Sequence, residues 1–159
     1  MGERAPAAPR CAALVGPYLS GKTTRLESLL HAAGALNRKG SVSDGNSVGD
    51  SAPEARARKM TAELNVASAE YLGERWTFLD CPGSIELALE AQNALLAADA
   101  AIMVCEPEVS KVLTLAPLFK FLDDHKIPHM LFINKMDNAA HRVREVLAAL
   151  QSVSSRPLV

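Results

Sequence analysis

Gly16-Pro17-Tyr18-Leu19-Ser20-Gly21-Lys22-Thr23 decides the fold, because this stretch fits the spacing G-x-x-x-x-G-K-[ST]. Its two glycines let the backbone turn tightly, so that successive N–H groups point at one anion. The apolar run 11–15 before it predicts a strand, and apolar residues at helical spacing after it predict a helix from Thr23 to Ala33, ended by Gly34. The stretch therefore predicts a phosphate-binding loop, here called the P-loop, between a strand and a helix.

Each part of the P-loop has an expected role at the phosphates. The helix that follows places the positive end of its dipole at the same anion. We expect the Lys22 ammonium to reach the β- and γ-phosphates and the Thr23 hydroxyl to hold Mg²⁺. The nucleotide-binding residues predicted here are Gly16, Pro17, Tyr18, Leu19, Ser20, Gly21, Lys22, Thr23 and Thr24.

Composition bounds the class of protein. The 159 residues suffice for one sizeable core, and the net charge of −1 gives no sign of sequence-independent or sequence-specific nucleic-acid binding. The three scattered cysteines favour a reducing, cytoplasmic setting over a disulfide framework. No apolar stretch approaches the length of a membrane span, so we expect no membrane association. Residues 1–10 are expected to be a disordered lead-in that is not a signal peptide.

Strand and helix patterns alternate after the first helix. A long loop follows over residues 37–58, where lids or disordered segments are usual. The next predicted element is a hairpin of strands Leu64–Tyr71 and 76–79 around a turn at 72–75, followed by a helix Glu86–Ala98 and a strand Ala100–Cys105. A helix Leu115–Lys126 comes next, with its N-cap at Thr114 and Pro117 in its first turn, and then a strand His129–Ile133. The last predicted elements are a helix marked by Val143, Val146, Leu147 and Leu150 and a strand beginning at Pro157–Val159.

This alternation predicts an α/β fold of the P-loop NTPase class. We expect three layers, α/β/α, with a mostly parallel sheet and one antiparallel edge strand contributed by the hairpin. In such sheets ligands bind outside the carboxyl ends of the strands. The P-loop, the stretch Asp80-Cys81-Pro82-Gly83 and the stretch Asn134-Lys135-Met136-Asp137 all lie at such ends. The sequence thus predicts one site built from three motifs.

The second motif points to the metal and the γ-phosphate. Asp80 follows an apolar strand and can hold the shell of Mg²⁺ through water. Gly83 has no side chain, so its N–H can approach a γ-phosphate.

The third motif selects the base. Guanine presents an N1–H and an N2 amine side by side, and the Asp137 carboxylate can accept both, whereas adenine lacks this pair. Asn134 can bridge the base edge and the P-loop, and the Lys135 stem can pack on the ring. A P-loop kinase or ATPase would need an adenine pocket, which this motif argues against.

With these motifs in this order the chain resembles the translational GTPases, and elongation factor G in particular. The stretch 43–50 before Pro53-Glu54, followed by Arg58-Lys59-Met60-Thr61, resembles switch I of that family, and 76–83 and 126–137 match the same family. The resemblance implies a GTP-binding domain over 11–159, with switch I at about 37–61 and switch II at about 80–90. It implies that Thr61 closes on Mg²⁺ and the γ-phosphate, that GTP, GDP and Mg²⁺ are the cofactors, and that a monomer acts on the ribosome in translocation.

The chain departs from the family pattern at several positions. Ser84 stands where a histidine usually positions the attacking water, so we expect slow hydrolysis. Pro17 and Leu19 replace a histidine and an aspartate, and Lys59 replaces a glycine. The candidate catalytic residues are Lys22, Thr61, Gly83 and Ser84. The sequence stops before the family's last guanine-contacting loop, so we expect an N-terminal fragment of a paralogue of the housekeeping factor, inactive alone.

Two functions remain open on the sequence alone. The first is a GTP-hydrolysing translation factor whose catalysis depends on positioning and electrostatic stabilisation. The second is a guanine-nucleotide switch that regulates ribosomes with little or no hydrolysis, which Ser84 would favour.

Overall fold

A five-stranded sheet organises the described part of the chain. The computed structural model describes residues 10–41, 47–48, 63–139 and 142–158. The strands are β1 (Arg10–Val15), β2 (Asn65–Tyr71), β3 (Glu74–Asp80), β4 (Ala100–Cys105) and β5 (His129–Ile133), in the order β2-β3-β1-β4-β5. The pairs β1–β3, β1–β4 and β4–β5 are parallel, and only β2 runs antiparallel, to β3. The predicted sheet is confirmed.

Helices cover both faces of this sheet. The α-helices in the described residues are α1 (Lys22–Ala32), α2 (Ala88–Leu96), α3 (Ala116–Asp124) and α4 (Val143–Gln151). Side chains alternate along β1, so Ala12 and Leu14 pack on α1, whereas Ala13 and Val15 face the cluster that α2, α3 and α4 share. The predicted three layers are therefore present. Full burial of side chains such as Phe119 contributes about 1.5–3 kcal/mol each.

The hairpin turn is shorter than predicted. Leu72 and Gly73 have φ values of 53° and 77°, and the residues on either side of them pair as Tyr71 with Glu74. Two positive φ values in a two-residue loop match the twist of the flanking strands. Glu74 and Arg75 therefore belong to β3, and the prediction of a four-residue turn was wrong.

Two predicted helices begin with 3₁₀ turns. A 3₁₀ segment at Ile85–Leu87 precedes α2, and another at Val109–Leu115 precedes α3. The predicted N-cap at Thr114 was wrong: Leu115 is the N-cap, and the Thr114 hydroxyl donates to the Lys111 carbonyl at 2.6 Å inside the 3₁₀ segment. Pro117 does lie in the first turn of α3, where its missing N–H costs nothing.

The ends of the described chain correct two more predictions. Arg10 is paired with Trp76 in β1, so the strand begins inside the predicted lead-in 1–10. Pro157 and Leu158 do not start a strand, because the Leu158 N–H donates to the Gln151 side chain at 2.8 Å. Gly34 has a φ of +75° directly after the helix cap, as predicted. Most of the predicted loop 37–58, and Thr61, lie outside the described residues. Within the described ranges, the helices all fall short of the length and apolarity needed to cross a membrane.

Candidate nucleotide-binding site

The P-loop runs from the end of β1 into α1, and its glycines are required by its geometry. Gly16 has a φ of +144°, and a Cβ added there would lie 2.0 Å from the Val104 carbonyl oxygen of β4. Gly21 has a φ of +95°, and its Cβ would lie 2.2 Å from the Asn134 amide nitrogen. Side chains at these positions would collide with the neighbouring strand and with the loop after β5. The two glycines therefore let the P-loop lie directly on the carboxyl ends of β4 and β5.

Lys22 folds back over this loop. Its ammonium donates to the carbonyls of Gly16 and Pro17 at 3.0 Å each, and the residue is only 5% exposed. Burial lowers the pKa of Lys22, and the nearby Asp80 charge acts in the opposite direction. A Cβ at Gly83 would lie 2.4 Å from the Lys22 ammonium. The backbone after β3 thus lies directly against the Lys22 ammonium of the P-loop.

Thr23 and Asp80 form a buried, hydrogen-bonded pair of side-chain oxygens. Asp80 ends β3 and is fully buried, and its Oδ2 accepts from the Thr23 hydroxyl at 2.7 Å. Hydroxyl and carboxylate oxygens are the ligands that Mg²⁺ prefers, so these side chains fit the predicted ion. Burial, with Asp80 beside it, raises the pKa of the adjacent Cys81 thiol to about 12, so this thiol stays protonated. Thr61, the third predicted metal ligand, lies outside the described residues.

The loop after β5 joins the base-recognition motif to the P-loop. The Asn134 amide donates to the Ser20 carbonyl at 2.9 Å, which is the P-loop contact of the predicted bridge; its contact with a base stays a prediction. The Lys135 ammonium donates to the Leu19 carbonyl at 2.7 Å. Asp137 lies in a 3₁₀ turn (Met136–Asn138) with its side chain exposed. Asp137 is therefore accessible to a base lying beside Lys135.

Two buried hydroxyls at this site are unsatisfied hydrogen-bonding groups within the described residues. The Ser20 and Ser84 Oγ atoms are buried and have no hydrogen-bond partner within the described residues. Buried polar atoms are almost always hydrogen-bonded in proteins, so such hydroxyls suit a site that receives a ligand or water. Ser20 lies in the P-loop, and Ser84 follows Gly83 in an extended conformation. These two hydroxyls could therefore bind a phosphate group and a water molecule at the carboxyl ends of the strands.

Two acidic residues at this edge escaped the sequence analysis. Glu27 of α1 is 1% exposed and accepts the backbone N–H groups of Gly40, at 2.9 Å, and of Val48. Glu106 follows β4 and accepts from Lys111 at 2.6 Å and from Lys135. The signals were present: Glu27 adjoins the apolar stripe of α1, and Glu106 occupies a carboxyl strand end, as Asp80 does.

Comparisons with known proteins agree with this geometry. The family described as Elongation factor Tu GTP binding domain matches residues 9–156. An elongation factor G-like protein of Synechocystis sp. is 61% identical over 150 residues, which cover 94% of this chain and 22% of the relative. Elongation factor G 2 of Streptomyces coelicolor is 30% identical over 132 residues, 83% of this chain and 19% of the relative.

Other relatives widen the group. The mitochondrial ribosome-releasing factor 2 of Rattus norvegicus is 30% identical over 146 residues, covering 87% of this chain and 19% of the relative. A crystal structure of a protein from Thermus thermophilus superposes with a TM-score of 0.75 at 34% identity, over 90% of this chain and 22% of that one. The chain spans about a fifth of the length of these curated relatives. By its sequence, its sheet and its P-loop, the chain belongs to the elongation factor Tu GTP-binding domain family.

Proposed function

We propose that this chain binds GTP and GDP with Mg²⁺ as the nucleotide-binding part of an elongation factor G-like GTPase that acts on the ribosome in translocation. The observation that carries the proposal is the convergence of three motifs on one rim: Lys22 on the P-loop carbonyls, Thr23 on Asp80, and Asn134 on Ser20. The names of the relatives, which are elongation and ribosome-releasing factors, support the ribosome as partner.

Different groups of the chain bind the phosphates, the base and the metal ion. The backbone N–H groups of residues 16–24, except that of Pro17, which has none, and the Lys22 ammonium bind the phosphates. The Asp137 carboxylate accepts from N1–H and N2 of guanine, and the Lys135 stem packs on the ring. Thr23 and Asp80 would hold Mg²⁺, with Thr61 as a further ligand; bound there, the ion neutralises charge on the phosphate oxygens.

Hydrolysis depends on the segment after β3. Lys22 stabilises the charge that develops on the transferred phosphoryl group, and the Gly83 N–H donates toward the same group. Ser84 donates to or accepts from the attacking water, but its hydroxyl is not a base, so the reaction is slower than with a histidine. We place this activity in the cytoplasm, in a monomeric protein.

The test of guanine recognition is Asp137→Asn in the intact protein that contains these residues. The neutral Asn amide can accept only one of the two guanine N–H groups, so the loss of one bond to a charged acceptor should weaken GTP by about 10–100-fold. Its N–H can donate to the xanthine oxygen, which should improve binding of xanthosine triphosphate. Equilibrium titration with both nucleotides measures the change. Asp124→Asn is the matched control, because it removes a carboxylate paired with Lys120 at 2.8 Å on the surface of α3 and should leave both affinities unchanged. An unaltered base preference in Asp137→Asn would refute the assignment.

A further inference from the structure

Glu106 lies where the base and phosphate halves of the site meet. It is the first residue after β4, next to the P-loop and the loop after β5, and its side chain is 16% exposed. One carboxylate oxygen pairs with the Lys135 ammonium, and the other accepts from the Lys111 ammonium at 2.6 Å. Two lysines from different segments of the chain therefore share this one carboxylate.

Lys135 is held from two sides. Its ammonium donates to the Leu19 carbonyl of the P-loop at 2.7 Å and to Glu106, and its backbone is left-handed, with a φ of +55°. Immobilising a lysine side chain costs rotamer entropy, which its bonds must offset. The Glu106 carboxylate carries a full negative charge, whereas the Leu19 carbonyl is a neutral dipole, so the carboxylate attracts the ammonium more strongly. Glu106 is therefore the stronger of the two acceptors that hold Lys135 against the P-loop.

Glu106 is fixed in turn by Lys111. The Lys111 ammonium pairs with Glu106 and, at 2.7 Å, with Glu108, beside a cavity of about 520 Å³ that Lys135 and Asn138 also line. Burial alone would raise the pKa of Glu106, but the hydrogen bonds from Lys111 and Lys135 outweigh it, so the pKa lies below its ordinary value. The carboxylate is thus ionised and oriented at neutral pH.

We propose that Glu106 is a positioning residue for guanine: it fixes Lys135 so that the lysine stem forms the surface on which the base packs. The inference rests on the proposed guanine-nucleotide binding, since Glu106 itself contacts no base and acts through Lys135. Its effect should fall on the base half of the nucleotide and spare the phosphate half. This separates positioning from a general role in stability.

The experiment compares GDP with inorganic triphosphate, both with Mg²⁺, by calorimetric titration of the intact protein. Glu106→Gln keeps an amide oxygen for Lys135 but removes the negative charge of the ion pair, so it should weaken GDP by about tenfold and change triphosphate affinity by less than about twofold. Glu106→Asp keeps the charge and should recover most of the GDP affinity. Glu74→Gln is the matched control, since Glu74 pairs with Arg10 at 2.8 Å at the other end of the sheet and should leave both ligands unchanged.

A double-mutant cycle tests whether Glu106 acts through Lys135. Lys135→Met removes the same ion pair from the other side, so Glu106→Gln should cause no further loss of GDP affinity in that background. If a urea titration shows that Glu106→Gln is unfolded, Lys111→Met removes the other ion pair of Glu106 without removing a P-loop hydrogen bond, and it should weaken GDP more than triphosphate.

Equal losses for GDP and triphosphate, or an undiminished effect of Glu106→Gln in the Lys135→Met background, would overturn the inference. A wild-type protein that binds ADP as well as GDP would overturn the proposed function and this inference together. A guanine-selective wild type whose GDP affinity survives Glu106→Gln would overturn the inference alone.

Discussion

Replacing Gly16 by alanine should destabilise the protein well beyond the usual cost of a glycine substitution. The positive φ of +144° imposes about 1–3 kcal/mol of backbone strain on any residue with a Cβ. In addition, that Cβ would lie 2.0 Å from the Val104 carbonyl oxygen, on a strand held between β1 and β5. Relieving such a contact resembles overpacking a core, at about 1–3 kcal/mol or more. The sum, about 2–6 kcal/mol, is a large share of the roughly 5–15 kcal/mol typical of a domain.

Gly34→Ala separates the two contributions. Gly34 also has a positive φ, of +75°, but a Cβ there would meet no atom of the described residues within 4 Å. Its cost should therefore be the left-handed strain alone, about 1–2 kcal/mol. Urea denaturation followed by the fluorescence of Trp76, the single tryptophan, measures the free energy of unfolding of both variants.

The difference between the variants decides the argument. We expect Gly16→Ala to lose at least about 1 kcal/mol more than Gly34→Ala, with much weaker nucleotide binding besides. Equal losses would show that β4 does not constrain the P-loop as the contact implies. Gly73→Ala, at another open position with a φ of +77°, checks that the Gly34 value is representative.

Three further perturbations probe the phosphate half of the site. Thr23→Val removes the hydroxyl that donates to buried Asp80 at 2.7 Å, so the free energy of unfolding should fall by about 1–3 kcal/mol. In titrations with and without Mg²⁺, the affinity of this variant for GDP should no longer depend on the ion. An intact Mg²⁺ dependence would argue against Thr23 and Asp80 as the ligand pair. Ser84→His should raise ribosome-stimulated GTP turnover by up to about 10²–10⁴-fold, and fast turnover of the wild type would contradict the weak role given to Ser84. Because the pKa of Lys22 is lowered in the folded protein, the unfolded chain binds more protons just below the ordinary lysine pKa of 10.5, so this group makes stability rise with pH there. Urea titrations at about pH 9 and pH 10.5 should show a larger gain for wild type than for Lys22→Met, and parallel gains would refute the assignment.

The strands followed from the sequence because their signals are local. Continuous apolar runs such as Ala100–Cys105, each followed by a polar motif, predicted buried parallel strands. The 3₁₀ segments before α2 and α3 were not predicted, since segments such as Val109–Leu115 depart from the 3.6-residue periodicity on which the predictions relied. Thr114 is an adequate N-cap by residue type, but its hydroxyl is already engaged within the preceding turn.

The site residues that belong to a sequence motif were predicted, and those outside the motifs were not. Asp80 and Asn134 were found because each stands at the carboxyl end of an apolar strand. Glu106 occupies the same kind of position, but no motif contains it, and its role depends on lysines 5 and 29 residues away along the chain. Glu27 is similar, because its partners Gly40 and Val48 come from a loop whose path the sequence does not specify. Long-range ion pairs and side-chain-to-backbone bonds therefore remained beyond prediction.

The carbonyl groups of the P-loop have a consequence for its electrostatic field. Those of Gly16 and Pro17 accept from Lys22, that of Leu19 from Lys135, and that of Ser20 from Asn134. The negative ends of these peptide dipoles are thus neutralised by donors, two of which lie 114 and 116 residues further along the chain. The loop is preorganised for an anion, since its dipoles need little reorientation when negative charge arrives. The loop after β5 therefore helps the P-loop to bind phosphate, because its Asn134 and Lys135 hold two of the P-loop carbonyls in place.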